Sequence, residues 1–248
     1  MALSLVPTCS PDNHLLAALP PADLARLWPQ LEAVPLSLRQ VLSAPGEPIT
    51  SVYFPETGYV SLLAYLKEGD AIEVGVVGRE GIVGLPVLLG DNSDECEAMV
   101  QNPGTALRMS AAAFRAELDR TPAFRDLMLR AALFQHRHVV RTAACNGRHH
   151  TEQRLARWLL IAHDRAEGDD FAMTHEFLAI MLGVRRAGIT VAAGQFQAAG
   201  LIRYTRGRIE VTDRLGLEAT ACECYGVARR ALDHLFGSNA GGQSLRCN

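Results

Sequence analysis

The chain has 248 residues, of which 48% are hydrophobic and 21% are charged. A chain of this length and composition can form the hydrophobic core of one large domain or two modest domains. No stretch reaches the roughly 20 apolar residues that a membrane helix needs. The N-terminus lacks the positive cluster and the long apolar run of a secretory signal. We therefore expect a cytoplasmic protein with no membrane partner.

The net charge of −3 conceals a strong asymmetry along the chain. Residues 1–100 hold 13 acidic and 4 basic residues, whereas residues 101–248 hold 14 acidic and 20 basic residues. An acidic half and a basic half indicate different partners for the two ends. The basic half is the part expected to meet phosphate groups.

The six cysteines are scattered, and a disulfide framework is not expected in a reducing cytoplasm. Cys222 and Cys224 are separated by one residue, closer than the usual spacing of zinc ligands, and the sequence places no further Cys or His beside them. His136, His138 and the pair His149-His150 could ligate haem or a metal, but histidines on amphipathic helices are more often interfacial or exposed. We expect structural or incidental thiols, no metal site and no cofactor.

After short helical segments near the N-terminus, the sequence becomes rich in short apolar runs separated by glycines. We predict strands at Pro35–Leu42, Val52–Phe54, Tyr59–Tyr65, Ala71–Val77 and Ala98–Val100. Many short strands with glycine turns are typical of a roll or barrel. A helix that Ser110 can cap then completes a predicted N-terminal domain of residues 1–120.

The longest predicted helix covers residues 121–146, with Thr121 as its cap and Pro122 at its first position. Two stripes run along two sides of this helix. One consists of Leu127, Ala131, Phe134 and His138, and the other of Leu129, Leu133, His136 and Val140. A helix that is apolar on two sides must be covered on two sides. We expect one stripe to pack on its own domain and the other on the same helix of a second copy. Burial within a monomer is the alternative that the pattern leaves open.

Asn146-Gly147 is predicted to break the long helix and to form the hinge to a C-terminal domain of residues 147–236. That domain begins with an amphipathic helix over residues 149–166, which a charged loop follows. It closes with a helix from Asp213 or Arg214 through Phe236, and the Gly-rich residues 237–248 are a predicted flexible tail.

Residues 174–212 have the order of a helix-turn-helix followed by a two-stranded wing. The first helix begins at Thr174, Gly183 provides the tight turn, and the second helix begins at Arg185-Arg186. Arg206-Gly207-Arg208 is the turn of the hairpin. Because such a motif inserts its second helix into a DNA major groove, double-stranded DNA is the expected partner.

The second helix and the wing supply the expected DNA contacts, namely Arg185, Arg186, Gly188, Thr190, Arg203, Arg206 and Arg208. An arginine at the start of such a helix can donate two parallel hydrogen bonds to guanine O6 and N7. Thr190 is placed for a phosphate or a thymine methyl. The wing arginines are candidates for phosphate contacts, with solvated surface charge as the alternative.

This helix-turn-helix resembles that of the Crp/Fnr transcription regulators, and the resemblance extends upstream over nearly the whole chain. The helix before the DNA-binding motif of that family is similar to Cys145-Asn146 and Glu152–Leu160. Its N-terminal sensory β-roll is similar to Gly46-Glu47, Val52–Phe54, Gly58 and Gly78–Gly81. The resemblance implies an α+β fold with an N-terminal cyclic-nucleotide-binding-like β-roll, a long dimerisation helix and a C-terminal winged helix-turn-helix. It also implies a homodimer that binds a near-palindromic operator and works with RNA polymerase.

Two departures from the family pattern limit what the resemblance implies. Arg186 takes the place of a base-contacting arginine, but Ala187 stands where many members have a glutamate that reads cytosine, so the operator should differ. In the segment that would hold a cyclic nucleotide, Leu85 replaces a glutamate and no arginine is available for the phosphate. Four acidic residues follow instead and would repel a phosphate. We therefore expect no gating by cyclic AMP.

The same segment could instead line an apolar effector pocket, for which the candidates are Gly84, Leu85, Pro86 and Leu88, although core packing explains these residues equally well. An enzyme is not expected, because the chain has no GxSxG, no metal-spaced His/Glu motif and no phosphate-cradling glycine loop. Two alternatives remain open. One is a winged-helix protein-interaction module without specific DNA binding, and the other is a regulator that senses a small apolar or haem-type ligand.

Overall fold

The computed structural model describes residues 10–67 and 69–236. The predicted tail of residues 237–248 lies outside them. The N-terminal half contains, in chain order, α1 (His14–Ala17), α2 (Pro21–Leu27), β1 (Glu32–Leu36), β2 (Val41–Ser43), β3 (Ser51–Pro55), β4 (Tyr59–Tyr65), β5 (Ala71–Val77), α3 (Leu85–Leu88), β6 (Cys96–Asn102), β7 (Gly104–Ser110) and α4 (Ala111–Arg120). The remainder contains α5 (Pro122–Arg148), α6 (Thr151–His163), β8 (Asp170–Ala172), α7 (His175–Leu182), α8 (Arg186–Ala198), β9 (Ile202–Thr205), β10 (Arg208–Val211), α9 (Arg214–Thr220) and α10 (Cys224–Phe236).

The N-terminal strands form two antiparallel sheets, one in the order β1-β7-β3 and the other in the order β2-β6-β4-β5. Strands β4 and β5 have the predicted bounds, whereas the predicted Pro35–Leu42 strand is divided into β1 and β2. Strand β7 was not predicted. It lies between β1 and β3, so long-range pairing stabilises it.

The buried side chain of Asn13 fastens the N-terminal helix to the roll. Its amide nitrogen donates to the carbonyl oxygens of Pro55 (2.9 Å) and Gly81 (3.0 Å). Its carbonyl oxygen accepts from the backbone N–H groups of Leu15 and Leu16, which caps α1.

The long helix α5 has one buried and one exposed apolar stripe. Its first stripe is buried against the roll and the flanking helices; it consists of Leu127, Ala131, Phe134 and His138. In the second stripe, Leu129 is 47% exposed, Leu133 48% and Val140 53%. The two predicted stripes therefore have different surroundings within one chain.

The long helix does not break at Asn146-Gly147 as predicted. It continues to Arg148, and the N–H of His149 still donates to the carbonyl of Cys145. The single helix predicted after residue 213 is also wrong. Residues 221–223 interrupt it, so that α9 and α10 are separate, and α10 returns along α5. As a result of the longer α5 and the separate α10, the end of α5 lies close to the start of α10.

The C-terminal domain packs against the roll through one continuous core. Leu155, Trp158 and Leu159 from α6 share this core with Tyr59 and Val76 from β4 and β5. Among the described residues, no single helix is both long and apolar enough to cross a membrane; α7 and α8 pass that test only as a pair, bent by 111°.

Candidate nucleic-acid interface

The helix-turn-helix is built by an N-cap, a left-handed glycine and an apolar helix face. Thr174 Oγ1 accepts from the N–H of Phe177 at 3.2 Å and caps α7. Gly183 ends α7 at φ 60°, a conformation that favours glycine. The bend of 111° between α7 and α8 lies in the range of helix-turn-helix motifs. In α8 the side chains that face inward are those predicted from helical spacing, namely Ile189, Ala192, Ala193 and Phe196.

The N-terminal end of α8 presents basic side chains to solvent. Arg185, the N-cap, and Arg186, the first helical residue, are both exposed. Arg186 Nη1 lies 3.5 Å from the Glu176 carboxylate, and both side chains are about two-thirds exposed. An ion pair this exposed contributes little, so Arg186 can leave Glu176 at small cost.

Thr190 is held in place by polar contacts within the domain. Its hydroxyl donates to the carbonyl of Arg186 at 3.1 Å and lies 3.2 Å from Nδ1 of His175. The His175 ring stacks on Tyr204 of β9 with the centroids 4.2 Å apart. This connection between α7, α8 and the wing was not predicted from the sequence, because its members come from three separate elements.

Gly188 lies in the first turns of α8, where a Cβ would meet no atom within 4 Å. The space beside this residue is therefore open, as is the space beside Gly194 further along the helix. Neither glycine has a positive φ. Glycine disfavours helices by about 1 kcal/mol relative to alanine, so the helix itself explains neither of the two glycines.

The wing arginines have different surroundings. Arg203 donates to Glu210 at 2.6 Å, and Arg208 donates from Nε to both oxygens of Asp170 at 2.9 Å. The hydrogen bond from Arg208 lowers the pKa of Asp170. Arg206 lies at the hairpin turn with φ 49° and has no ion pair with any described residue. Asp170, assigned to a charged loop in the sequence, belongs to β8, which pairs with β10.

Two buried acidic groups join the roll to the DNA-binding domain. Glu73 of β5 accepts from Ser61 Oγ at 2.6 Å and from Trp158 Nε1 of α6 at 2.7 Å. Burial raises the pKa of Glu73 to about 7, although these hydrogen bonds and two nearby arginines act in the opposite direction. Glu80 accepts from Arg165 Nη2 at 2.7 Å. Burial alone would raise the pKa of Glu80, but the charge and hydrogen bonds of Arg165 together with backbone hydrogen bonds lower it.

Sequence reasoning identified neither group as functional, although Glu80 belongs to the Gly78–Gly81 turn that carried the resemblance. An acidic residue in a strand gives no signal for a partner 85 positions away.

The histidines of α5 differ in burial. His138 is buried, and burial together with Arg165 and Arg157 lowers its pKa to about 3, so it is neutral at physiological pH. His136 is exposed on the second stripe. The two side chains therefore differ in their access to solvent. A groove of about 350 Å³ between α5 and α10 is lined by both histidines and by apolar residues of α10.

The predicted effector segment forms the short helix α3. Gly84 precedes it at φ 100°, and a Cβ there would lie 2.9 Å from Val52. Val87 is buried, and Leu88 packs against the core that α4 and α5 share with the roll. Gly84, Leu85, Pro86 and Leu88 are each half-buried. The environment of Leu88 is the core packing that the sequence left as the alternative.

Cys222 and Cys224 have no other cysteine or histidine near them in the sequence, but the fold brings Cys145 and His149 beside them. Cys145 Sγ lies 3.5 Å from Cys222 Sγ, and His149 Nδ1 lies 3.7 Å from Cys224 Sγ. No local pattern indicated this proximity, because 75 or more positions separate the partners.

Comparisons with known proteins agree with this architecture. Residues 34–121 match the model of the cyclic nucleotide-binding domain, and residues 153–220 match the model of the Crp-like helix-turn-helix domain. No curated protein sequence matches the chain.

Similar folds occur among solved structures. FixK2 from Bradyrhizobium japonicum matches with a TM-score of 0.67 at 17% identity, covering 77% of this chain and 98% of FixK2. TTHA1359, a transcriptional regulator of the Crp/Fnr family from Thermus thermophilus, matches with a TM-score of 0.60 at 21% identity, covering 77% of this chain and 98% of its own. The c-di-GMP responsive global regulator CLP from Xanthomonas campestris matches with a TM-score of 0.60 at 16% identity, with coverages of 77% and 98%. At these identities the likeness concerns the fold.

The α+β architecture predicted from the sequence is confirmed, with a β-roll, a long helix and a winged helix-turn-helix in that order. The two domain models match in the same order and lie on either side of α5. The chain belongs to the Crp/Fnr family of transcription regulators and carries a helix-turn-helix DNA-binding domain.

Proposed function

We propose that this chain is a cytoplasmic, non-enzymatic regulator that acts as a homodimer on a near-palindromic DNA operator, together with RNA polymerase and without cyclic AMP. The observation that carries the proposal is the N-terminal end of α8. There Arg185 and Arg186 extend into solvent beside Gly188, where an added Cβ would meet no atom within 4 Å. A helix end of this kind fits a major groove.

In this proposal Arg186 reads a base and the wing supplies phosphate contacts. The weak pairing of Arg186 with Glu176 supports its role, because the guanidinium needs little desolvation to rotate toward guanine. Arg206, at the turn of the wing, is available to a phosphate at once. Arg203 and Arg208 must first exchange Glu210 and Asp170 for the phosphate. We assign Thr190 to phosphate or thymine-methyl contact.

The exposed stripe of α5 is the proposed dimer interface. Leu129, Leu133 and Val140 follow one another at helical spacing and are about half exposed. A matching stripe on a second copy would cover them, as in a parallel helix pair. Two recognition helices related by a twofold axis would then meet half-sites one helical turn apart, roughly 34 Å.

The signal that reaches the roll is proposed to differ from cyclic AMP. Leu85 and the acidic residues that follow it do not suit a cyclic phosphate. A fold like this one also serves other inputs, since CLP is described as c-di-GMP responsive. No specific observation on this chain favours the apolar or haem-type alternative.

The test is selection of bound sequences from a random duplex pool by the full chain. A recovered consensus with two inverted half-sites would support the proposal. Unselected recovery together with salt-independent binding would favour the interaction module, since phosphate contacts make DNA binding depend on salt. Repeating the binding with cyclic AMP present should leave the affinity unchanged, and a saturable increase would contradict the independence from that nucleotide.

A further inference from the structure

Three cysteines and one histidine meet where the dimerisation helix ends and the last helix begins. Cys145 and His149 lie four residues apart at the C-terminal end of α5. Cys222 lies in the link between α9 and α10, and Cys224 is the first residue of α10. The three cysteines are buried and pack together, and His149 is half-buried. All four potential ligand atoms lie within 4.8 Å of one another.

These distances match the ligand shell of a tetrahedral zinc ion. With Zn–S near 2.3 Å and Zn–N near 2.0 Å, tetrahedral angles place two sulfurs about 3.8 Å apart and a sulfur and a nitrogen about 3.5 Å apart. Here Cys145 Sγ and Cys222 Sγ are 3.5 Å apart, and Cys224 Sγ and His149 Nδ1 are 3.7 Å apart. Small side-chain rotations would bring the four atoms to a common centre.

The other ring nitrogen of His149 has the partner that a metal-bound histidine requires. Its Nε2 lies 3.3 Å from a carboxylate oxygen of Glu223. Histidines that ligate a metal through one nitrogen commonly donate the other N–H to a carboxylate, which fixes the tautomer and the ring orientation. A hydrogen bond from Nε2–H to Glu223 would leave Nδ1 free to bind a cation toward the thiols.

Positive charge next to the thiols suits three thiolates. Burial raises the pKa of the Cys145 thiol, and the guanidinium of Arg157 acts in the opposite direction. Arg157 is anchored by its hydrogen bond to Thr142 Oγ1 at 2.8 Å. A divalent cation with three thiolates and a neutral imidazole carries a net charge of −1, which a buried arginine offsets. The site is therefore supplied with soft ligands, a positioned imidazole and a counter-charge.

We propose that Cys145, His149, Cys222 and Cys224 bind a thiophilic divalent cation of the zinc type, with tetrahedral geometry and a closed shell of four protein ligands. Such a closed site is structural in kind, because no position is left for a substrate. The proposed site joins the end of α5 to the start of α10, two segments that lie 75 or more positions apart in the sequence. Cation binding thus fixes α10 along α5 at the point where the DNA-binding domain begins.

The first experiment uses the purified full chain and measures bound zinc together with cobalt substitution. We expect about one zinc per chain, and cobalt loading should give the intense visible bands of a tetrahedral ion with thiolate charge transfer. Chelation should lower the melting temperature, because a cation that binds only the folded state stabilises it.

The variants separate this site from the other thiols. Cys222→Ser and Cys224→Ser should lose stoichiometric metal, whereas His149→Cys should keep it with a cobalt spectrum shifted toward four sulfurs. Cys96→Ser is the matched control, since Cys96 lies in β6 away from the cluster, and it should keep the full metal content. The combined substitution of Cys9, Cys96 and Cys247 by serine should also keep it.

Three results would overturn the proposal. The first is a folded chain that takes up no zinc or cobalt after reduction. The second is metal that persists in both Cys222→Ser and Cys224→Ser. The third is a Cys145–Cys222 disulfide in the chain as isolated, with no metal uptake once it is reduced. The readout on the unsubstituted chain keeps the test valid if one of the cysteine variants does not fold.

Discussion

Replacement of Glu73 by glutamine tests the junction between the roll and the DNA-binding domain. Glu73 is buried between β4, β5 and α6, where its two oxygens accept from Ser61 and Trp158. A glutamine has nearly the same shape, and it can accept from Trp158 through its oxygen and donate to the Ser61 hydroxyl through its nitrogen. Glu73→Gln therefore removes the titration of the group and preserves its contacts.

The sign of the pH effect follows from the raised pKa. Since the pKa rises from 4.5 when unfolded to about 7 when folded, the folded state prefers the protonated carboxyl. This contribution to stability is complete below pH 4.5 and is lost as the pH rises through 7. The difference between the two pKa values corresponds to about 3 kcal/mol. Most of it should appear between pH 5 and pH 8, so the parent should lose about 2–3 kcal/mol relative to Glu73→Gln over that interval.

The assay is urea unfolding of both proteins at pH 5, 6, 7 and 8, followed by tryptophan fluorescence and by circular dichroism. The two curves of unfolding free energy against pH should lie close together at pH 5 and diverge as the pH rises, with the glutamine variant more stable. Glu32→Gln, which alters only the exposed pair with Arg108, is the control and should follow the parent. Parallel curves for the parent and Glu73→Gln would refute the reasoning.

Three further predictions concern the DNA and dimer surfaces. Arg186→Ala should weaken binding to the selected operator by about 1–3 kcal/mol and relax one base position; equal weakening on operator and random duplex in an anisotropy titration would contradict a base-reading role. Leu133→Glu should weaken dimerisation in analytical ultracentrifugation, because a helix pair would bury the new charge, whereas Leu215→Glu, at a side chain that is 78% exposed on α9, should not; a Leu133→Glu chain that dimerises like the parent would exclude this interface. Gly188→Ala and Gly194→Ala should each raise the unfolding free energy by about 1 kcal/mol, but only the first should reduce DNA affinity, and equal affinities would remove Gly188 from the contact surface.

The sequence determined the features that depend on local pattern. Helical spacing identified the inner face of α8, and the pair Thr174 and Gly183 marked both ends of α7, because caps and left-handed glycines act within a few residues. The two stripes of α5 were also readable, since each repeats with the period of a helix. The exposed arginines at the start of α8 follow from the same register.

The tertiary structure decided everything that joins distant parts of the chain. Strand β7 was missed because pairing with β1 and β3 stabilises it, and Asp170 became the partner of Arg208 only through the pairing of β8 with β10. The same holds for Glu73 against Trp158 and for Cys145 against Cys222, which lie 85 and 77 positions apart. Local periodicity carries no information about such contacts, because the return of one element onto another depends on how the whole core packs. The sequence by itself therefore determined the DNA-binding motif and its reading helix, whereas packing alone created the junction between the domains and the thiol cluster beside it.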